Sequence, residues 1–277
     1  MTKLLVVIMI VSSAFAQSIQ VHGHRGARAV RPENTIPAFE YAIAQGVDAL
    51  ELDMAVTRDN VIVISHDSTI QPPVCSGPKP KAVIRELTLA ELREWDCGAI
   101  PNPAFPKQQP VPGTRIPTLD EVFALAPKGT FLFNIETKSY PDRPELTPPP
   151  EEFSRMVLAL IRKHRLESRV VLQSFDFRTL AAMKQLAPEI KLSGLYSGAS
   201  KDLAAIGLQA GARIVSPVAA LVTPEGVAAA HAAHMEVLPW TVNTPEEWDR
   251  LAKAGVDGII SDDPAALIAW LKAQGRR

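Results

Sequence analysis

The residues best able to do chemistry gather between His22 and Asp67, in the run HGHRGARAVRPENTIPAFEYAIAQGVDALELDMAVTRDNVIVISHD. A histidine–arginine pair, His24 and Arg25, is followed by an acid pair, Glu51 and Asp53, and then by a second histidine, His66. A third acid, Glu136, and a lysine, Lys138, lie farther on in IETK. Three carboxylates form an oxygen-ligand set for one hard divalent cation, Ca2+ or Mg2+. One buried acid alone would read as half of a salt bridge, but an unneutralised acid pair inside a protein is costly, which favours a cation. Two histidines beside such a cation suit general acid–base work: one takes a proton from an attacking hydroxyl and the other gives one to the leaving oxygen. Each such group contributes roughly 10²–10⁴-fold, so part of a barrier reduction of about 8–23 kcal/mol must come from positioning and charge. Arg25, with its bidentate fork, and Lys138 are suited to bind phosphoryl oxygens. The set points to metal-dependent phosphodiester chemistry.

Strands must position these groups. Ala49–Val56 alternates, with Leu50, Leu52 and Met54 on one face and Glu51 and Asp53 on the other, a period of two. Val61–Ser65 reads as a second strand, joined by a two-residue turn at Asp59-Asn60. That turn sets Asp53 opposite His66; a bulge would shift the register by one. The strand candidates are Ile19–His24, Ala49–Val56, Phe131–Glu136, Val170–Ser174, Lys191–Leu195, Arg213–Ser216, Glu236–Thr241 and Gly258–Ser261. Helix patterns lie between them, including Thr35–Gln45 before Gly46, and Glu151–Arg165 with Phe153, Met156, Val157, Leu160 and Ile161 on one stripe. Thr118–Glu121 and Thr244–Glu247 match capping boxes. With Val61–Ser65 as a hairpin arm, eight β-then-α units remain, which predicts an α/β fold of the (β/α)8 TIM-barrel type; an open doubly wound sheet is the rival. In a barrel the C-terminal strand ends share one face, so His24, Arg25, Glu51, Asp53, Glu136, Lys138 and Trp240 would converge there.

One segment breaks the rhythm. Residues 68–117 carry ten prolines, too many for a long helix, with one short helix at Leu89–Trp95. It reads as an insertion after the second strand's hairpin, either functional or a surface excursion. Cys75 and Cys97, the only cysteines, fall inside it; they form a disulfide or are two unrelated thiols.

The first residues, MTKLLVVIMIVSSAFA, have a basic start, an apolar run and an A-x-A site before Gln17. Residues 1–16 therefore read as a secretory signal peptide, with an uncleaved anchor as the alternative, and residues 17–277 as one domain placed across the inner membrane, in the periplasm. No other run approaches the ~20 apolar residues of a membrane span, so no stable anchor is expected after cleavage. A net charge of −1 provides no electrostatic case for nucleic acid.

At these residues the chain resembles the glycerophosphodiester phosphodiesterases. The motifs are HRG at His24–Gly26, PENT at Pro32–Thr35, ELD at Glu51–Asp53, HD at His66-Asp67, IETK at Ile135–Lys138, QSF at Gln173–Phe175 and WTVN at Trp240–Asn243. The resemblance implies a (β/α)8 barrel with an insertion after the HD strand. It implies His24 and His66 as the catalytic acid–base pair, Glu51, Asp53 and Glu136 as metal ligands, and Arg25 and Lys138 on the phosphate. It further implies Trp240 as a wall of the glycerol pocket and Glu33 as site-supporting. The reaction implied cleaves a small glycerophosphodiester to sn-glycerol 3-phosphate and an alcohol, through attack by the glycerol 2-hydroxyl. Asp67-Ser68-Thr69-Ile70-Gln71-Pro72 departs from the family's usual run after HD and leaves the alcohol open. A lysophospholipase D or sphingomyelinase D type of lipid phosphodiesterase is the alternative, and a non-catalytic barrel a third.

Two other histidine patterns are set aside. His22-Gly23-His24 looks like the H-x-H of amidohydrolase barrels, but the middle strands lack further histidines, so His22 is expected to be packed one layer below His24. His231 and His234 are expected to be a solvated or satisfied pair rather than a zinc site.

Overall fold

The computed structural model describes residues 18–277; the expected signal peptide lies outside the described residues. In chain order the first elements are β1 (Gln20–Gly23), α1 (Ile36–Gln45), β2 (Ala49–Val56) and β3 (Ile62–Ile64). An irregular segment holds β4 (Thr69–Ile70), β5 (Ala82–Val83) and α2 (Leu89–Leu92). Then follow α3 (Leu119–Phe123), β6 (Leu132–Thr137), α4 (Pro150–His164), β7 (Val170–Ser174), α5 (Phe177–Leu186), β8 (Lys191–Tyr196) and α6 (Leu203–Ala210). The chain closes with β9 (Ile214–Pro217), α7 (Pro224–Ala232), β10 (Glu236–Val237), α8 (Pro245–Ala254), β11 (Gly258–Ser261) and α9 (Pro264–Ala273).

Eight of these strands run parallel in the order β10-β9-β8-β7-β6-β2-β1-β11. β10 meets β11 through backbone bonds, Asp257 N–H to Val237 O at 3.1 Å and Ile260 N–H to Pro239 O at 3.0 Å. The expected (β/α)8 barrel is the observed architecture. β10 is shorter than the sequence pattern predicts, because Pro239 has no N–H to continue the ladder. Beyond it Trp240 still forms an isolated parallel bridge with Val218. Among the described residues, no helix is long and apolar enough to cross a membrane.

All eight residues of β2 are buried. Leu50, Leu52 and Met54 join the large apolar layer under the helices, while Glu51 and Asp53 face the lumen. Lower in the lumen Val171, Ile214, Leu238 and Ile260 form a separate apolar plug. His22 is 1% exposed, as expected of a packed histidine, and lies 3.3 Å from Asn134. Helix ends follow local chemistry: Thr35 caps α1 through Ala38 N–H, and Gly46 ends it at φ 80°. The Thr118–Glu121 capping box forms in both directions. At Thr244 the side chain accepts from Glu247 N–H, and Pro245 opens the helix. On α4, Phe153, Val157 and Ile161 are buried, but Met156 and Leu160 are only partly covered.

The β2–β3 hairpin corrects the expected register. Met54 pairs with Ile64 and Val56 with Ile62, so Asp53 faces Ser65, not His66. The turn has three residues, 58–60, closed by Thr57 N–H to Val61 O at 3.0 Å, with Asn60 at φ 59°. Asparagine tolerates that left-handed geometry, which makes the longer turn with its bulge the better fit.

The Pro-rich segment is stapled by a Cys75–Cys97 disulfide. It has its own small core, in which Ile70, Ile84, Leu92 and Trp95 pack with Val63. It also reaches back over the loop after β1: Gln108 Nε2 donates to Arg28 O at 2.7 Å, and Gln109 N–H to Val30 O at 2.9 Å.

Two stability outcomes are expected. Replacing both cysteines by alanine should cost about 3 kcal/mol in the chain-entropy model, read as a lower denaturation midpoint that reductant no longer changes. Burial pushes the His22 pKa from 6.5 down to about 4, with Asp48 only partly opposing. Below pH 6.5 the unfolded chain takes up this proton and the folded chain does not. Stability should therefore fall as pH drops from about 6.5 to about 4, by about 3 kcal/mol from this group. His22→Gln should narrow the gap between urea midpoints at the two ends of that window; an unchanged gap would assign the acid sensitivity elsewhere.

Candidate active site

Register gathers the acids at the C-terminal end of the barrel. Asp53 on β2 pairs with Glu136 on β6, and Glu136 with Gln173 on β7. Glu51, Asp53 and Glu136 are buried, and one oxygen from each lies within 4.8 Å of the others. His24, His66, Arg25, Lys138 and Trp240 line the same cavity, of about 320 Å³. Of the expected site residues, Glu33 does not line it; its carboxylate takes Arg25 NH1 at 2.6 Å.

The turn after β1 is shaped by two unusual backbones. Arg25 sits at φ 51° and Gly26 at φ 86°. A Cβ on Gly26 would lie 2.8 Å from the Ala38 backbone, so glycine there lets α1 approach. This turn aims Arg25 N–H at Glu51 Oε2, 2.8 Å away. Arg25 Nε lies 3.4 Å from Asp53 Oδ2. In PENT, Asn34 at φ 56° donates from Nδ2 to Asp53 Oδ2 at 2.9 Å, and Thr35 caps α1. Lys138 Nζ bridges Asp53 at 3.1 Å and Glu136 at 2.8 Å. Gln173 Nε2 donates to Glu51 Oε1 at 2.8 Å, and is itself held by Asn134 at 3.0 Å.

The two histidines differ in setting. His24 is 8% exposed, its Nε2 is 3.9 Å from Glu51, and its Nδ1 is 2.5 Å from Asp262. The His66 side chain is 36% exposed, with Nδ1 2.8 Å from Asp67. The same cavity has an apolar wall of Trp240 and Phe175. Trp240 is anchored by Nε1–H to Ser216 O at 2.9 Å and meets Phe175 edge-on, with centroids 5.5 Å apart.

Known proteins carry the same arrangement of sequence and fold. The model of the glycerophosphoryl diester phosphodiesterase family matches residues 24–266. The chain belongs to the glycerophosphoryl diester phosphodiesterase family. A glycerophosphodiester phosphodiesterase of Caldanaerobacter subterraneus subsp. tengcongensis is 35% identical over 259 residues, covering 92% of this chain and 98% of that one. A crystal structure from Silicibacter pomeroyi DSS-3, bearing the family's name, has a TM-score of 0.87 at 33% identity and covers 94% and 95% of the two chains. A phosphodiesterase from Oleispira antarctica, in complex with the product sn-glycerol-3-phosphate, shares the fold at TM-score 0.79 and 23% identity, over 92% and 97% of the two chains. As a member of this family the chain is an enzyme, a phosphodiesterase.

The electrostatics of this phosphodiesterase site fit a cation. Burial, reinforced by Asp53, pushes the Glu51 pKa well above the carboxylate range. Burial pushes Glu136 up to about 7 against the pull of Lys138. Burial also acts to raise Asp53, but Lys138 and Arg25 outweigh it and hold Asp53 well below its usual value. Lys138, although buried, is kept charged by Asp53 and Glu136. The positive charge present serves Asp53 and leaves Glu51 short. A divalent cation among three oxygen donors would make up that deficit, and both the thiols and His231 are elsewhere. His231 instead contacts Asp257 at 2.9 Å.

Sequence reasoning missed Asp262, the residue that follows β11 and lies beside His24. The strand-end rule applied to Gly258–Ser261 would have found it. Asn34, Gln173 and Asn243 were visible only as motif letters, because their partners lie on other strands.

Removing ligands should grade the cation affinity. In calorimetric titration of chelator-stripped protein, Gln173→Ala should weaken binding roughly 10–100-fold, as loss of a supporting hydrogen bond does. Glu136→Gln should weaken it further; wild-type affinity would remove Glu136 from the ligand set.

Proposed function

We propose that this enzyme hydrolyses glycerophosphodiesters to sn-glycerol 3-phosphate and an alcohol, with His24 and His66 moving the protons. One observation carries the proposal: two histidines, three carboxylates, an arginine and a lysine share one cavity at the barrel mouth. The Caldanaerobacter relative's activity and the product held by the Oleispira protein support the substrate class. Glu51, Asp53 and Glu136 would hold Ca2+ or Mg2+, which when bound neutralises phosphoryl charge and polarises a phosphoryl oxygen. Arg25 and Lys138 orient the phosphate.

In the first step the glycerol 2-hydroxyl oxygen attacks phosphorus. Its proton passes to one histidine, the bond from phosphorus to the alcohol oxygen breaks, and the other histidine protonates that oxygen. Water then opens the cyclic phosphate with the two roles reversed. Phe175, 44% exposed at the apolar wall, is the feature that would serve a lysolipid substrate of the lysophospholipase D or sphingomyelinase D kind. Secretion to the periplasm is proposed from the N-terminal pattern, and the Cys75–Cys97 disulfide suits an oxidising compartment.

The deciding assay is release of sn-glycerol 3-phosphate from glycerophosphocholine by chelator-stripped protein, with Ca2+ or Mg2+ added back. Metal-restored release is expected. Release only from lysolipids would transfer the assignment to the lipid-directed class. His24→Ala and His66→Ala should each lower kcat by roughly 10²–10⁴-fold without unfolding the chain. A wild-type rate in either would sink the two-histidine scheme.

A further inference from the structure

The end of the eighth strand brings a buried carboxylate to His24. Asp262 is 3% exposed, and its Oδ1 lies 2.5 Å from His24 Nδ1. Its Oδ2 accepts from Asn243 Nδ2 at 2.7 Å. The Asp262 N–H donates to Asn243 Oδ1 at 2.9 Å, which sets the orientation of that amide. Arg28 Nε stands 3.0 Å from Oδ1. The backbone is tied as well, His24 N–H to Ser261 O at 2.9 Å and Ala29 N–H to Asp262 O at 3.0 Å. The Pro-rich segment braces the cluster from outside, with Phe105 stacked 4.6 Å from the Arg28 guanidinium.

An ionised carboxylate can only accept a hydrogen bond. In a neutral His24 ring the proton therefore belongs on Nδ1 and the lone pair on Nε2. Nε2 is the nitrogen on the Glu51 side, 3.9 Å from its Oε2. His66 also meets an aspartate, but its ring is 36% and Asp67 62% exposed, so water competes for that bond.

We propose that Asp262, oriented by Asn243 and charge-paired with Arg28, is a positioning residue that holds His24 as the Nδ1–H tautomer and so makes His24 the proton acceptor of the first step. The proposal rests on the two-histidine reading and divides its roles. The glycerol 2-hydroxyl proton passes to His24 Nε2 as the new bond to phosphorus forms. The departing alcohol oxygen takes its proton from His66 as the old bond breaks. Asp262 then faces the imidazolium and stabilises it.

The test compares Asp262→Asn, His24→Ala and His66→Ala on two glycerophosphodiesters, one of choline and one of p-nitrophenol. Asp262→Asn should lower kcat on the choline ester by roughly 10²–10⁴-fold, leaving KM and cation affinity within about twofold. p-Nitrophenolate leaves without protonation. In single-turnover release of p-nitrophenolate, which reads the first step alone, His66→Ala should recover most of its loss, while Asp262→Asn and His24→Ala should not. Nitrogen NMR of the wild-type ring should report Nδ1–H for His24. Wild-type kcat in Asp262→Asn alongside an inactive His24→Ala would overturn the proposal, as would an Nε2–H signal in the wild type, which needs no variant to fold. Full activity in His24→Ala would instead strike the two-histidine reading itself.

Discussion

Three carboxylates held within 4.8 Å of one another in a buried lumen are the constraint on which the rest depends. At an effective dielectric near 20, two like charges at such a distance repel by about 4 kcal/mol. The chain answers with directed partners. Gln173 and the Arg25 amide serve Glu51, Asn34 and Lys138 serve Asp53, and Lys138 serves Glu136. These partners orient the oxygens but do not cancel the charge, and Glu51 is left favouring its proton. A binding site for a cation is, in this sense, a cluster stabilised in geometry and left incomplete in charge.

The turn after β1 is where that geometry is made. Arg25 and Asn34 occupy left-handed conformations that cost non-glycine residues energy. Their backbones and side chains gain hydrogen bonds to Glu51 and Asp53 in return. Gly26 lets α1 close against the turn, and Thr35 caps the same helix. HRG and PENT are therefore one structural unit, although ten positions separate His24 from Asn34 only in sequence, with Glu33 joining them through Arg25.

The Pro-rich excursion is bound into the molecule at three levels: a small apolar core, a disulfide, and hydrogen bonds from Gln108 and Gln109 to the loop carrying Arg28. Proline density rules out long helices there, yet short elements with the Thr88–Glu91 capping box still form. Through Phe105 and Arg28 the segment touches the carboxylate that faces His24. Among the described residues, none of the segment lines the cavity itself; the segment reaches the site through the loop that carries Arg28.

Much of this was legible in the sequence, because strand periodicity and cap chemistry are local. The alternation of Ala49–Val56 shows which residues of β2 face inward, and the strand-end rule places Glu51, Asp53, Glu136 and Lys138 on one face. The hairpin register was missed by one residue, since only backbone geometry at Asn60 decides between a two- and a three-residue turn. The shortened β10 follows from Pro239, a local signal, whereas the closure of the barrel depends on the bonds of Asp257 and Ile260 to Val237 and Pro239, which no local pattern contains. Residue types and their strand positions were determined by the sequence alone. Who hydrogen-bonds to whom was decided by the tertiary structure, because Asp262 meets His24 across 238 positions only when β11 closes on β1.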